Sequence, residues 1–292
     1  MPKANANNIQ IEYDTFGKSS SPALLLIMGL GGQMIFWDEE FCKQLADSGF
    51  FVIRYDNRDI GLSTKFEAKG VPDVMAAITA SMQGKPISAP YSLDDMANDA
   101  AGLLDALSIK KAHICGASMG GMIAQTFAYK HPSRILTLTS IMSSTGNPQL
   151  PPGKPEAMAA LTTPAPRDRD EYIEQGIKTW KIIGSPGFPF DEKRIRKLSA
   201  EAFDRSFYPQ GMARQLVAIL AHGNRKSRLS SINVPTLVIH GDSDPLVPVE
   251  AGKDTADAIK GAKLLIIKGM GHDFARGTWP EIIGAIHQHA SV

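Results

Sequence analysis

The sequence predicts an α/β fold, with a mostly parallel central sheet flanked by helices on both faces and an inserted helical cap. Three observations predict it. Short runs rich in branched aliphatic residues recur along the chain, most of them are followed by a turn and a helical pattern, and one long stretch carries helical patterns without a convincing strand.

The first element, Ile9 to Phe16, alternates apolar with polar residues and is followed by Gly17 and a Ser-rich turn, which predicts an antiparallel edge strand with one wet face. The other strand candidates are Leu24 to Met28, Phe51 to Tyr55, Ala112 to Cys115, Ile135 to Thr139, Thr236 to His240 and Lys263 to Ile267. They lack strict alternation, so both faces of each should be covered. Helical patterns intervene at Asp38 to Ser48, Leu93 to Leu107, Met119 to His131, Val249 to Ile259 and Trp279 to His289.

The alternation breaks between Ile141 and Val234. Prolines 148, 151, 152, 155, 164 and 166 crowd the entrance, and helical patterns follow at Arg169 to Ile183, Glu192 to Phe203 and Met212 to Ala221. Asp168 and Asp191 stand where N-caps belong. This predicts a core of residues 1–144 and 229–292 with a cap of residues 145–228 inserted in it. A second irregular stretch, Glu67 to Tyr91, holds an apolar pattern from Val74 to Met82 and reads either as a lid or as a passive surface excursion.

With 43% hydrophobic and 21% charged residues, the composition is that of an ordinary globular protein, and it excludes disorder and coiled coil. A formal net charge of +1 gives no reason to expect a nucleic-acid partner or an anionic membrane. The densest basic stretch, Lys193, Arg194, Arg196 and Lys197, lies in a helical pattern and reads as a solvated face. The longest apolar run, Ala23 to Leu30, is far short of the roughly 20 residues that cross a bilayer. The polar first twenty residues show no secretory signal, so a cytoplasmic location is expected. Cys42 and Cys115 form neither a disulfide framework nor a metal spacing, and Cys115 reads as a small buried hydrophobe.

The chemistry concentrates in Gly116-Ala-Ser118-Met-Gly120, a GxSxG sequence directly after one strand candidate and directly before a helix. A nucleophile at the tip of so tight a turn takes a strained backbone, and glycine two residues to either side removes Cβ atoms that would collide. The same turn puts the Met119 amide at a helix N-terminus, aimed at an oxygen that becomes negative when Ser118 attacks a carbonyl. A serine hydroxyl needs a base. Of the seven histidines, His113 reads as core, His131 as a helix end and His222 as part of the cap. His240 reads as a turn support, and His287 and His289 as members of an exposed final helix. His272 stands apart in the glycine-flanked loop Gly269-Met-Gly-His272, after the last strand candidate. The acid belongs in the loop after Thr236 to His240, where Asp242 and Asp244 compete.

The order Ser118, acid, His272 is the order used by α/β-hydrolases, and the chain resembles that family over nearly its full length. The stretches Leu26-Ile-Met-Gly29-Leu30-Gly31, Arg54-Tyr-Asp56-Asn-Arg58-Asp-Ile-Gly61-Leu-Ser63 and Tyr91-Ser-Leu-Asp-Asp-Met96 resemble the esterase branch that includes aclacinomycin methylesterase. The resemblance implies a second oxyanion donor at the Leu30 amide, where Met28-Gly29 replaces the usual His-Gly. The family's HGxxD pattern, matched by His240-Gly-Asp-Ser-Asp244, points to Asp244, and Pro245 holds that residue away from the helical region.

The expected function is hydrolysis of a small-molecule carboxylic ester by Ser118, His272 and Asp244 through an acyl-enzyme, with no metal or organic cofactor. Thioesterase, lactonase, amidase, C–C hydrolase and cofactor-free perhydrolase keep the same triad, and a slow-turnover small-molecule receptor is the non-enzymatic rival. Trp37, Met82, Met119, Met142, Trp180, Phe188 and Phe207 are the candidates for an apolar lining between cap and core. Arg58 and Ser63 read as holding the loop after Asp56 together. The sequence leaves the oligomeric state open.

Overall fold

The computed structural model describes residues 2–291. The chain opens with a hairpin of β1 (Lys3–Ala6) and β2 (Ile9–Phe16), joined by Asn7 and Asn8, whose φ angles of 48° and 63° make a type I′ turn. Then come β3 (Ala23–Ile27), α1 (Glu39–Asp47), β4 (Phe51–Tyr55), α2 (Val74–Met82), α3 (Leu93–Ala106), β5 (Ala112–Ala117), α4 (Met119–Lys130) and β6 (Ile135–Ile141). Five helices follow without a strand: α5 (Pro155–Thr162), α6 (Arg169–Ile183), α7 (Glu192–Arg205), α8 (Pro209–His222) and α9 (Lys226–Leu229). The chain ends with β7 (Thr236–Gly241), α10 (Val249–Ala258), β8 (Lys263–Ile267) and α11 (Trp279–Ala290).

The strands form one sheet in the order β1-β2-β4-β3-β5-β6-β7-β8. Pairing is antiparallel from β1 through β4 and parallel elsewhere. The expectation for Ile9 to Phe16 needs correction: this strand is antiparallel but is not the edge, because β1 pairs outside it. β8 also departs from expectation. As the other edge it has only one neighbour, and Leu264 and Ile266 are exposed.

Alternation along the buried strands splits the core in two. Leu25 and Ile27 of β3 face Met96, Ile123 and Phe127 of α3 and α4 on one side. Leu24 and Leu26 face the other, with Phe41 of α1 and Ile282 and Ile286 of α11. The last helix buries more than its sequence promised, because the side chain of His289 points inward to the carbonyls of Leu138 and Pro235.

Helix starts follow their capping chemistry. Asp168 accepts the N–H groups of Asp170 and Glu171, Asp191 accepts that of Arg194, and Ser92 with Asp95 forms a capping box. Parallel strands deliver the loops after β3, β4, β5, β6, β7 and β8 to one end of the sheet, and α6 to α8 bond to several of them. Buried ion pairs tie the loop after β4 to its surroundings: Arg58 to Asp99 of α3, Arg214 of α8 to Asp59, and Arg205 of α7 to Asp56. Ser63 Oγ donates to the Asp56 carbonyl, so Arg58 and Ser63 both hold this loop. Among the described residues no helix is long and apolar enough to cross a membrane.

Candidate active site

Ser118 sits between β5 and α4 with φ 55° and ψ −121°, outside the regions an L-residue favours. Such a residue costs on the order of 1–3 kcal/mol and persists only where its surroundings over-determine it. Here they do. The Ser118 N–H donates to the Ile141 carbonyl at 2.9 Å, and its carbonyl accepts from Ser143 Oγ at 2.8 Å. A Cβ at Gly116 would lie 2.0 Å from the Gly120 carbonyl oxygen, and one at Gly120 would lie 2.0 Å from that of Ile27. Both glycines are therefore required by the closeness of the helix to the sheet.

Ser118 Oγ lies 3.0 Å from Nε2 of His272, whose Nδ1 lies 2.7 Å from Asp244 Oδ2. A carboxylate only accepts, so Nδ1 carries the proton and Nε2 is left to accept from the serine hydroxyl. The other oxygen of Asp244 accepts the N–H groups of Leu246 and Val247. Burial alone would raise the pKa of Asp244, but attraction to His272 in its protonated form, the nearby His240 and the N–H donors of His272 and Val247 outweigh it and hold the carboxyl far below the usual range. Asp242 is exposed and accepts from Gly269 N–H at 2.7 Å, so it ties the turn after β7 to the loop carrying His272.

That loop has a second set of ties which sequence reasoning missed. His272 N–H donates to the Ile183 carbonyl at 2.7 Å, and Gly187 N–H to the Gly269 carbonyl at 2.9 Å. Ser185 Oγ accepts from Gly271 N–H and donates to Asp273. The segment after α6 thus lies along the histidine loop.

The Leu30 amide lies in the loop after β3, next to Gly29, on which a Cβ would lie 3.1 Å from Ser118 Cβ and 3.7 Å from its Oγ. Met119 is the first residue of α4, so its N–H has no acceptor within that helix. Asn57 Nδ2 holds the Met28 carbonyl at 2.8 Å, on the strand side of the same loop.

The apolar candidates scatter. Trp37 is buried against Phe41 and Phe274 beneath the sheet, and Met142 is buried beside β7. Met82 is 84% exposed at the end of α2. Trp180 stacks on Phe36 at 6.1 Å, Phe207 packs with Phe203 and Tyr172, and Phe188 covers Gly277. Two surface clefts of about 590 and 880 Å³, one on α5 and α6 and the other beside Arg54 and Arg194, are lined by none of Ser118, Asp244 and His272.

The other candidates for chemistry have local roles. His240 donates through Nε2 to the Val247 carbonyl at 2.8 Å, and its ring lies 3.6 Å from Asp244 Oδ2. Burial pushes the Cys115 thiol well above its ordinary range and that of Cys42 up to about 12, so both stay protonated. Among the described residues no cluster of His, Cys, Asp or Glu could hold a metal ion.

Known proteins resemble this chain in sequence and fold. It is 29% identical to rhodomycin D methylesterase DauP of Streptomyces sp. (strain C5), over 97% of this chain and 95% of that one. It is 28% identical to 3-oxoadipate enol-lactonase 2 of Acinetobacter baylyi, over 90% and 86%. A solved structure of the meta-cleavage product hydrolase CumD from Pseudomonas fluorescens IP01, in a mutant form complexed with acetates, superposes with a TM-score of 0.77 at 18% identity, covering 100% of this chain and 97% of that one, a likeness of fold. Residues 22–275 match the alpha/beta hydrolase fold family, and the chain belongs to that family.

Proposed function

We propose that this protein is a serine hydrolase that cleaves carboxylic esters through an acyl-enzyme on Ser118. The observation that carries the reading is the unbroken hydrogen-bonded line from Ser118 Oγ through His272 to Asp244, ending on a strained strand-to-helix turn. Ser118 Oγ attacks the ester carbonyl while His272 Nε2 takes its proton, and Asp244 stabilises the imidazolium. The carbonyl oxygen becomes an oxyanion that accepts from the amides of Leu30 and Met119. Collapse of this adduct breaks the bond to the alkoxy oxygen, which leaves as the alcohol with the proton from His272. Water then repeats the sequence on the acyl-enzyme, releasing the acid and restoring Ser118.

Residues 145–228 act in this reading as a cap over a core of 1–144 and 229–292. The methylesterase relatives direct the reading toward an ester of a small alcohol. The acyl group is a separate question: Arg58, Arg205 and Arg214, around the loop after β4, are each held by a buried aspartate, and Met212 lies against Gly31. These features favour an uncharged acyl group. Steady-state turnover of a panel of esters, thioesters, lactones and amides tests the reading. Neutral esters should turn over at roughly 1 per second or faster. Release of a single equivalent of product, or turnover confined to amides, would contradict it.

A further inference from the structure

We propose that Gln215, on α8, is a positioning residue for the oxyanion donor at Leu30, so that the cap segment holds the catalytic loop in its working shape. The inference rests on the serine-hydrolase reading and assigns a role to a residue remote in sequence from every motif. Gln215 is fully buried, and both ends of its amide are engaged. Oε1 accepts the Gly31 N–H at 3.0 Å, and Nε2 donates to the Arg58 carbonyl at 2.9 Å.

Those two bonds set the amide's orientation, because a flipped amide would face donor to donor and acceptor to acceptor. They also set the loop. Leu30 stands between two anchored glycines: Gly29 packs on Ser118, and Gly31, at φ 68°, packs under Met212, one helical turn before Gln215. A Cβ at Gly31 would lie 3.0 Å from Met212 Sδ. The Leu30–Gly31 peptide is therefore gripped by α8 on one side while Asn57 grips the Met28 carbonyl on the other. With both neighbouring peptides fixed, the Leu30 N–H has one direction available. A donor aimed in advance is what gives an oxyanion hole its effect, since nothing then reorganises when charge develops. Without the side-chain oxygen, the Gly31 N–H loses its acceptor and the loop gains alternatives.

The test is Gln215→Met, which keeps the volume and removes both bonds, read by kcat and KM on three neutral esters and by the affinity for an alkyl boronic acid that forms a tetrahedral adduct. Loss of a donor outright lowers kcat by about 100- to 1000-fold, so a loosened one should lower it by about 10- to 100-fold. The factor should be the same for all three esters, KM should move less than about two-fold, and boronate affinity should fall with kcat. Val217→Ala, a buried change on the same helix away from Gly31, should lower stability while leaving kcat in place. Should Gln215→Met fail to fold, amide hydrogen exchange of Gly31 in the intact protein decides, with strong protection expected. A wild-type kcat in Gln215→Met, an equal kcat loss in Val217→Ala, or unprotected exchange at Gly31 would each overturn the proposal. Stoichiometric labelling of Ser118 by an organophosphonate, measured alongside, separates these outcomes from a failure of the serine-hydrolase reading itself.

Discussion

Asp244 Oδ2 lies 2.7 Å from Nδ1 of His272, while Oδ1 of the same carboxylate accepts two backbone N–H groups, from Leu246 at 2.9 Å and Val247 at 2.8 Å. The two oxygens are not equivalent, and the difference fixes what an amide would do in their place. In Asp244→Asn the carbonyl oxygen must take the position that faces the backbone donors. The NH₂ group then faces Nδ1 and forces the imidazole into the tautomer with its proton on Nε2, toward Ser118. That tautomer cannot accept the serine proton. We expect kcat to fall by about 10⁴ with KM little changed. Asp242→Asn, altering an exposed group that accepts from Gly269, should keep most of kcat and lower the melting temperature slightly. Kinetics on the two folded variants check the assignment, and activity lost only in the Asp242 variant would exchange the two acids.

The same carboxylate makes a pH prediction. Burial opposes its charge, yet the His272 charge and the surrounding N–H donors hold its folded pKa well below the value of about 3.9 in an unfolded chain. Between those values the unfolded chain binds a proton that the folded protein does not, so stability rises with pH across that window. The contribution is complete above about pH 5 and is lost on acidification below about pH 4. Urea unfolding of wild type and Asp244→Asn should show a stability gap that narrows from pH 5 toward pH 3. A gap that widened on acidification would contradict this.

Glycine substitutions should divide by what a methyl group meets. Gly120→Ala places its Cβ against the Ile27 carbonyl, a main-chain atom that cannot move aside, and should cost about 3 kcal/mol or more. Gly284→Ala, in α11, meets nothing within 4 Å and should stabilise the protein by about 0.5–1 kcal/mol. Thermal unfolding of both variants measures the difference.

Trp180 stacks on Phe36, three residues from Gln33, at the junction of α6 with the loop after β3. Trp180→Ala should change relative kcat/KM among esters of different acyl groups while leaving the pH profile in place. A uniform loss across the panel in a folded variant would remove Trp180 from substrate selection.

Much of this was legible in the sequence, and the physical reasons differ by element. The buried parallel strands announced themselves as aliphatic runs because both faces are covered, and Gly116 and Gly120 are glycines because main chain passes 2.0 Å from where a Cβ would stand. β1 was not legible: four residues at an edge bury only Ala6 and leave no pattern. α5 was hidden among prolines, although Pro155 at its first turn suits a helix start. The only sequence signal for a pocket lining is apolarity, and apolarity does not distinguish Trp37 in the core from Met82 in solvent. The bonds from Gln215 to Gly31 and from Ser185 to Gly271 join residues 184 and 86 positions apart, and no local pattern records such pairs.

The central claim is that Ser118 carries the acyl group, and the direct test is mass spectrometry of the active-site peptide during turnover. Wild-type protein, quenched in acid during hydrolysis of a chromogenic ester, should carry the acyl mass on the peptide containing Ser118. Ser118→Ala should carry none and should lose turnover. An acyl adduct on any other residue, or a Ser118→Ala variant that hydrolyses the ester at the wild-type rate, would contradict the account.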